Sequence, residues 1–423
     1  MKISIISDQL RAGRIWHIVA ALAALAIKSS GADWPQFMGP NGDGVSAEKG
    51  LLRVWPADGP KILWTVALGP GYGGAAIRDG KVYVLDRVSR QKDVLRCLDL
   101  GSGKEDWTFS YDAPGGIDHD GSRSTPAVGE KSVFTIGPFG QFHCIDKATH
   151  QVVWQKNILT EYGAKAPRWA LAQSPLLYQD MVVAAPQGDQ IGVVAFDQAT
   201  GKERWRSEGI GPIGYASPMR ITLEGVEQIV MVNTVGAAGV RASDGKVLWK
   251  YAHNCKIPIP NVTALGGGKL IVTGAYMAGS AIIQVAREGE TWTVKELARH
   301  NQIGGHCHPA LLFQEHLYLL ANVNERSDGL VCFDLAGKLL WQTKNNPNLD
   351  KGGSILTADG LIYVMDGRSG ELHIVEPSPE GFKSLSKTKL LGGKEIWGPL
   401  ALAGGRLLIR DQSQMKCLDL QAR

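Results

Sequence analysis

The stretch Leu98–Trp107, LDLGSGKEDW, returns as IDKATHQVVW at 145–154, FDQATGKERW at 196–205, ASDGKVLW at 242–249 and FDLAGKLLW at 333–341. The closing tryptophans stand 47, 51, 44 and 92 residues apart, the last gap being two periods of 46. A further copy, ILW, ends at Trp64, 43 residues before Trp107. A period in the forties, with short apolar runs between turn residues, is the sequence mark of a β-propeller, in which each repeat forms one blade. The chain has 423 residues, enough for two or three ordinary domains, but repetition overrides that prior. Its 52 glycines match a fold built from many tight turns.

Each repeat reads as four strands. The first gives GAAIRDG, KVYVLDR, DVLRCLDL and EDWTFSYD, and the next three follow the same scheme. The fifth is degenerate, with Trp292 out of register, and the seventh lacks the tryptophan. The eighth begins GPLALAG, RLLIRDQ, QMKCLDL and lacks its fourth strand, whereas Lys61–Leu68, KILWTVAL, is a fourth strand without a preceding three. We therefore expect an all-β, eight-bladed propeller of four-stranded antiparallel blades, closed by that N-terminal strand. Closure removes exposed sheet edges. Seven blades is the alternative, because of the weak fifth unit.

Residues 61–423 are thus expected to form the propeller, 33–60 an N-terminal extension and 1–32 an export signal. Lys2, Arg11 and Arg14 lead into the apolar run Ile15–Ile27, and Ser30-Gly31-Ala32 supplies small residues for cleavage before Asp33. Thirteen apolar residues are few for a membrane span, so no transmembrane segment is expected. No cysteine stands at the cleavage point to take a lipid. The formal charge is +4, but Lys2, Arg11, Arg14 and Lys28 against Asp8 place most of it in the first 32 residues. The remainder carries no basic field for nucleic acid. The expected product is a monomeric periplasmic or extracellular protein.

Six cysteines in an exported chain suggest disulfides, but Cys97, Cys144, Cys332 and Cys417 recur at one place in four repeats. Equivalent places in different blades lie too far apart to bond, so these read as small buried hydrophobes. Cys255 and Cys307 are left without an assigned pairing. The Asp-to-Trp offset of eight in Asp99…Trp107, Asp146…Trp154 and Asp197…Trp205 reads as turn chemistry. Asp accepts backbone N–H groups, Gly supplies positive φ, and Trp covers the seam between blades.

The phrase around Asp-x-x-Thr-Gly-Lys-x-x-Trp, with Ser-Pro before several first strands, resembles the PQQ-like (pyrrolo-quinoline quinone) propeller repeat over about residues 61–420. That repeat occurs in quinoprotein alcohol dehydrogenases and in the BamB-type scaffold of outer-membrane assembly. The opening DWPQFMGPNGDGVS, residues 33–46, looks like the head of exported PQQ-like propellers of planctomycete-type bacteria. The resemblance implies the fold and leaves function open. The chain has no adjacent cysteines, no matched calcium-ligand or catalytic-Asp segments, and no lipoprotein cysteine.

Candidate function therefore falls on the loops entering the innermost strands, which meet the central channel on one face. They carry Tyr72, His119, Asp120, Arg123, Arg168, Trp169, Gln173, Tyr215, His306, His308, Asp350, Lys351, Glu395 and Trp397. Of these, Arg123, Arg168, Trp169, His306, His308, Lys351 and Trp397 are the chosen ligand-binding candidates. The cations suit carboxylates and the tryptophans suit a planar ring. His306 and His308 at i and i+2 would share one face of a strand, yet His119 belongs to a unit across the ring, so no metal site is assigned. No catalytic constellation is identified. The leading expectation is a non-catalytic, BamB-like binding or scaffold propeller of the cell envelope, meeting envelope proteins or a small anionic or planar ligand. The alternative is a PQQ-dependent oxidoreductase of alcohols or sugars, using PQQ with calcium in the channel. A third reading is a carbohydrate-binding or carbohydrate-acting propeller using Trp169, Trp397, Asp120, Asp350 and Glu395.

Overall fold

The second strand of the first repeat, Lys81–Val88, buries Val82, Tyr83, Val84 and Leu85 in succession. A strand with both faces covered reads as a continuous apolar run, and that requires sheets stacked on both sides. Eight sheets meet this need, arranged as the blades of an eight-bladed β-propeller. The computed structural model describes residues 33–323 and 326–422; the expected export signal at 1–32 lies outside them. All regular elements among the described residues are strands, and no helix is long and apolar enough to cross a membrane.

Blade 1 comprises Ala76–Arg78, Lys81–Val88, Lys92–Asp99 and Glu105–Asp112, paired antiparallel in that order from the channel outward. The fifth repeat is a complete blade in spite of its sequence, with Thr263–Gly266, Lys269–Gly274, Gly279–Glu288 and Thr291–His300. In the eighth, Ala401–Ala403, Arg406–Arg410 and Gln414–Asp419 are completed by Lys61–Ala67, which pairs antiparallel with the last of them. The ring is closed by its N-terminal strand, as the orphan tryptophan predicts.

Packing explains the repeated phrase. Opposite each tryptophan on the third strand stands a small residue: Cys97 for Trp107, Cys144 for Trp154, Ala195 for Trp205, Gly239 for Trp249, Cys332 for Trp341 and Cys417 for Trp64. All six cysteines are free thiols. The indole then reaches the turn of the next blade. Trp64 donates to Leu100 O at 2.8 Å, Trp154 to Gln198 O at 2.9 Å and Trp341 to Ser378 O at 2.8 Å. A Cβ on Gly103 or Gly201 would stand 2.6 or 2.7 Å from the indole of Trp64 or Trp154. Glycine there supplies positive φ and the room for the ring. In the fifth blade the tryptophan's seat is held by Ala298, lying against Gly337 of the sixth. In the seventh it is held by Ser386, whose hydroxyl takes the backbone N–H of Trp55 from outside the repeats.

Residues 33–52 cross the ring on the side away from the entry loops. Trp34 exchanges backbone hydrogen bonds with Ile77 of blade 1, Pro35 O accepts from Val128 of blade 2, and Gln36 Oε1 accepts from Leu177 N of blade 3. Gly42 lies beside Met219 of blade 4 and Gly44 beside Leu311 of blade 6. Val45–Ser46 then add a parallel strand to Ser354–Thr357 of blade 7, and Leu51 bridges Gln421. Trp34 and Met38 are each only 2% exposed. This segment stops one end of the channel and gives it a floor.

Candidate functional site

Strand direction sends every loop that enters an innermost strand to the face opposite the floor. There these loops enclose a cavity of about 300 Å³. Its lining includes Tyr72, His119, Arg123, Trp169, Tyr215, Tyr276, His306, Cys307, His308, Glu395 and Trp397, with Phe37 contributed by the floor segment. Five of the seven residues chosen from sequence, Arg123, Trp169, His306, His308 and Trp397, therefore meet in one cavity. Lys351 lines an adjoining space of about 390 Å³ that shares Glu395 and Trp397 with the first. Its ammonium lies 5.0 Å from the Trp397 ring centroid. Arg168 lines neither; its side chain is 75% exposed, over the Trp169 ring and 3.5 Å from Asp118.

The polar groups hold one another in place. Tyr72 donates to Glu395 Oε2 at 2.5 Å, and His119 Nδ1 lies 3.0 Å from Glu395 Oε1. Burial and this carboxylate push the Tyr72 phenol well above its ordinary pKa, so it remains a donor. Arg123 donates to the carbonyls of Gly121, Asp118 and His119 within its own loop, with its guanidinium over the Tyr72 ring. It braces the loop that carries His119. Asp120 is engaged by Arg87 and Arg90, and Asp350 lies beside Lys351.

His306 and His308 lie in an irregular loop rather than on a strand, so the strand argument for a shared face does not apply. The loop turns both to the cavity. His306 Nδ1 meets Asn322 O at 2.9 Å, and His308 Nε2 meets Trp397 O at 2.9 Å. Burial lowers both pKa values to about 4, which keeps the rings neutral at pH 7. His119, expected across the ring, lines the same cavity as both. Among the described residues no group of three His, Cys, Asp or Glu side chains is placed to hold a metal.

Sequence reasoning missed Phe37 and Tyr276. Tyr276 occupies the turn between the second and third strands of blade 5, and such turns reach the same rim as the entry loops. The run Gly274-Ala-Tyr-Met-Ala-Gly279 carries the signal, a large aromatic in a hairpin turn. Phe37 has no signal of its own, because its position depends on the path of the floor segment.

A model of the family described as "Outer membrane protein assembly factor BamB" matches residues 90–303, about half of the chain. No curated protein matches the sequence. Among solved structures, BamB from Moraxella catarrhalis is similar with a TM-score of 0.59 and 13% identity, covering 86% of this chain and 98% of that one. A quinohemoprotein alcohol dehydrogenase from Pseudomonas putida HK5 gives 0.62 at 12% identity, and one from Comamonas testosteroni 0.62 at 14%, each covering 93% of this chain and 81% of the other. At these identities the likeness concerns the fold.

Proposed function

This chain belongs to the BamB-like family of PQQ-like propellers, and on that premise we propose that it is a non-catalytic binding protein of the cell envelope, presenting the floored aromatic cavity to a ligand. The floor carries the proposal: a channel closed at one end is a receptacle, and small-molecule sites are concave and lined by aromatic and apolar groups. Export to the periplasm or the cell exterior belongs to the same proposal.

The disposition of charge supports binding over quinone-dependent oxidation. A planar polycarboxylate quinone with calcium needs free cations for its carboxylates and an acidic cage for the metal. Here Arg123 is engaged by three carbonyls of its own loop, Arg168 points to solvent, and Glu395 is already held by Tyr72 and His119. These engagements leave Arg123, Arg168 and Glu395 poorly disposed to hold that cofactor. Titrating the purified protein with PQQ and calcium, then assaying alcohols and sugars with an artificial electron acceptor, tests the reading. We expect neither saturable quinone binding nor dye reduction; the appearance of both would overturn it.

A further inference from the structure

Two spaces of unlike chemistry meet at Trp397, which lines both. The floored cavity presents a run of rings. The Trp397 centroid lies 5.5 Å from that of Tyr72 and 5.7 Å from that of His119. His119 lies 6.4 Å from Trp169, and Trp169 lies 5.6 Å from Tyr215. The two charged side chains of this lining are engaged within the protein, Arg123 by three carbonyls and Glu395 by Tyr72 and His119. Rings at this spacing, with the charges beside them already met, suit a flat apolar body.

The adjoining space, of about 390 Å³, is of the opposite kind. Lys351, Arg368 and Lys394 line it against Asp350 and Glu395. The carboxylates there are committed inside the protein. Glu395 is held as above, and Asp350, whose carboxyl burial raises above its usual pKa, lies 3.5 Å from the Lys351 ammonium. Nearby Asp366 accepts the backbone N–H groups of Asp350 and Arg368 at 3.0 and 3.1 Å, and the Ser369 hydroxyl at 2.6 Å. Among the described residues neither the Arg368 guanidinium nor the Lys394 ammonium has an ion pair or a hydrogen bond. Exposed cations are common on any surface, but these two face a concave space with a third cation behind them. Lys351 is only 4% exposed, and its ammonium stands 5.0 Å from the Trp397 centroid. Lysine is rarely buried to this degree. Here it brings positive charge to the wall that the two spaces share.

We propose that the two spaces form one bipartite site for an amphipathic anion, with a flat apolar body against the rings and a single oxyanion, carboxylate or phosphate, among Lys351, Arg368 and Lys394. This rests on the cavity being a binding site at all. Four probes that share an indole body and differ in the appended group separate the two levels by calorimetry: indole-3-acetate, indoxyl phosphate, neutral indole-3-ethanol and cationic tryptamine. We expect at least one anion to bind about tenfold more tightly than indole-3-ethanol, with tryptamine weakest, and the margin to shrink as salt is raised. The tighter of the two anions identifies the oxyanion. Arg368→Gln and Lys394→Gln, both at exposed positions, should each weaken that anion about two- to fivefold. Both variants must melt with the parent protein. Anions bound no more tightly than indole-3-ethanol or tryptamine, or bound indifferently to both substitutions, overturn the bipartite site and leave the binding reading standing. Silence from all four probes removes both.

Discussion

Trp107 stacks on His150 at a centroid distance of 4.5 Å, where other blades lay an indole over glycine. His150 holds φ 60°, so it accepts the left-handed strain that Gly103 and Gly201 avoid. Two opposing terms follow. The strain costs about 1–2 kcal/mol, and the ring stack returns about 0.5–1.5 kcal/mol. Replacing His150 by Gly should therefore change stability by less than about 1 kcal/mol. Gly201→Ala should cost about 1–3 kcal/mol, because its Cβ would enter the Trp154 ring as well as adopt positive φ. Urea unfolding of both variants checks the contrast; equal losses would count against it. At this scale the sequence was legible where residues repeat. The Asp, Gly, Cys and Trp of the phrase each announced a role through recurrence. The partners of Arg123 were illegible, because a guanidinium in a loop reads the same whether it faces a ligand or three carbonyls.

The segment from Asp33 to Leu52 is the element least visible beforehand. It has no periodicity, and its path is set by contacts with blades 1, 2, 3, 4, 6, 7 and 8 rather than by its own pattern. The strands, by contrast, could be read from the turn residues that bound them and the apolar runs of the middle strands, although the innermost ones are shorter than their apolar stretches, as at Ala76–Arg78 and Ala127–Val128. Trp34 anchors the segment, and Gly39 at φ 86° passes so close that a Cβ would stand 2.8 Å from the indole. Trp34→Ala should cost about 3–5 kcal/mol, seen as a lower urea midpoint with an unchanged slope. A loss below about 1 kcal/mol would mean that the floor is held by its backbone bonds alone.

At the scale of the whole molecule, five buried histidines among the described residues have pKa values lowered by burial from 6.5, His143, His253, His306 and His308 to about 4 and His373 in the same direction. The unfolded chain takes up their protons below about pH 6.5, while the folded ring declines them until near pH 4. Stability is therefore full above about pH 6.5 and falls as pH drops from there toward 4. Each site contributes on the order of a few kcal/mol at the acid limit. Unfolding midpoints at pH 7.5, 6 and 5 should fall progressively, and His143→Leu should flatten the fall by about a fifth to a quarter. A flat profile would mean that these rings reach water.

The joint between Lys61–Ala67 and Gln414–Asp419 also governs the order of assembly. Apart from Val45–Ser46 added to blade 7, every other blade is built from neighbouring hairpins, which form quickly because their contacts are local in sequence. The last blade waits for residues at opposite ends of the propeller to find each other, at the entropic expense of closing a very long loop. Tyr72 and Glu395, 323 residues apart, meet across the same joint. During synthesis the cavity is therefore the last part of the molecule to exist, and a bound ligand would distinguish a finished ring from one still open.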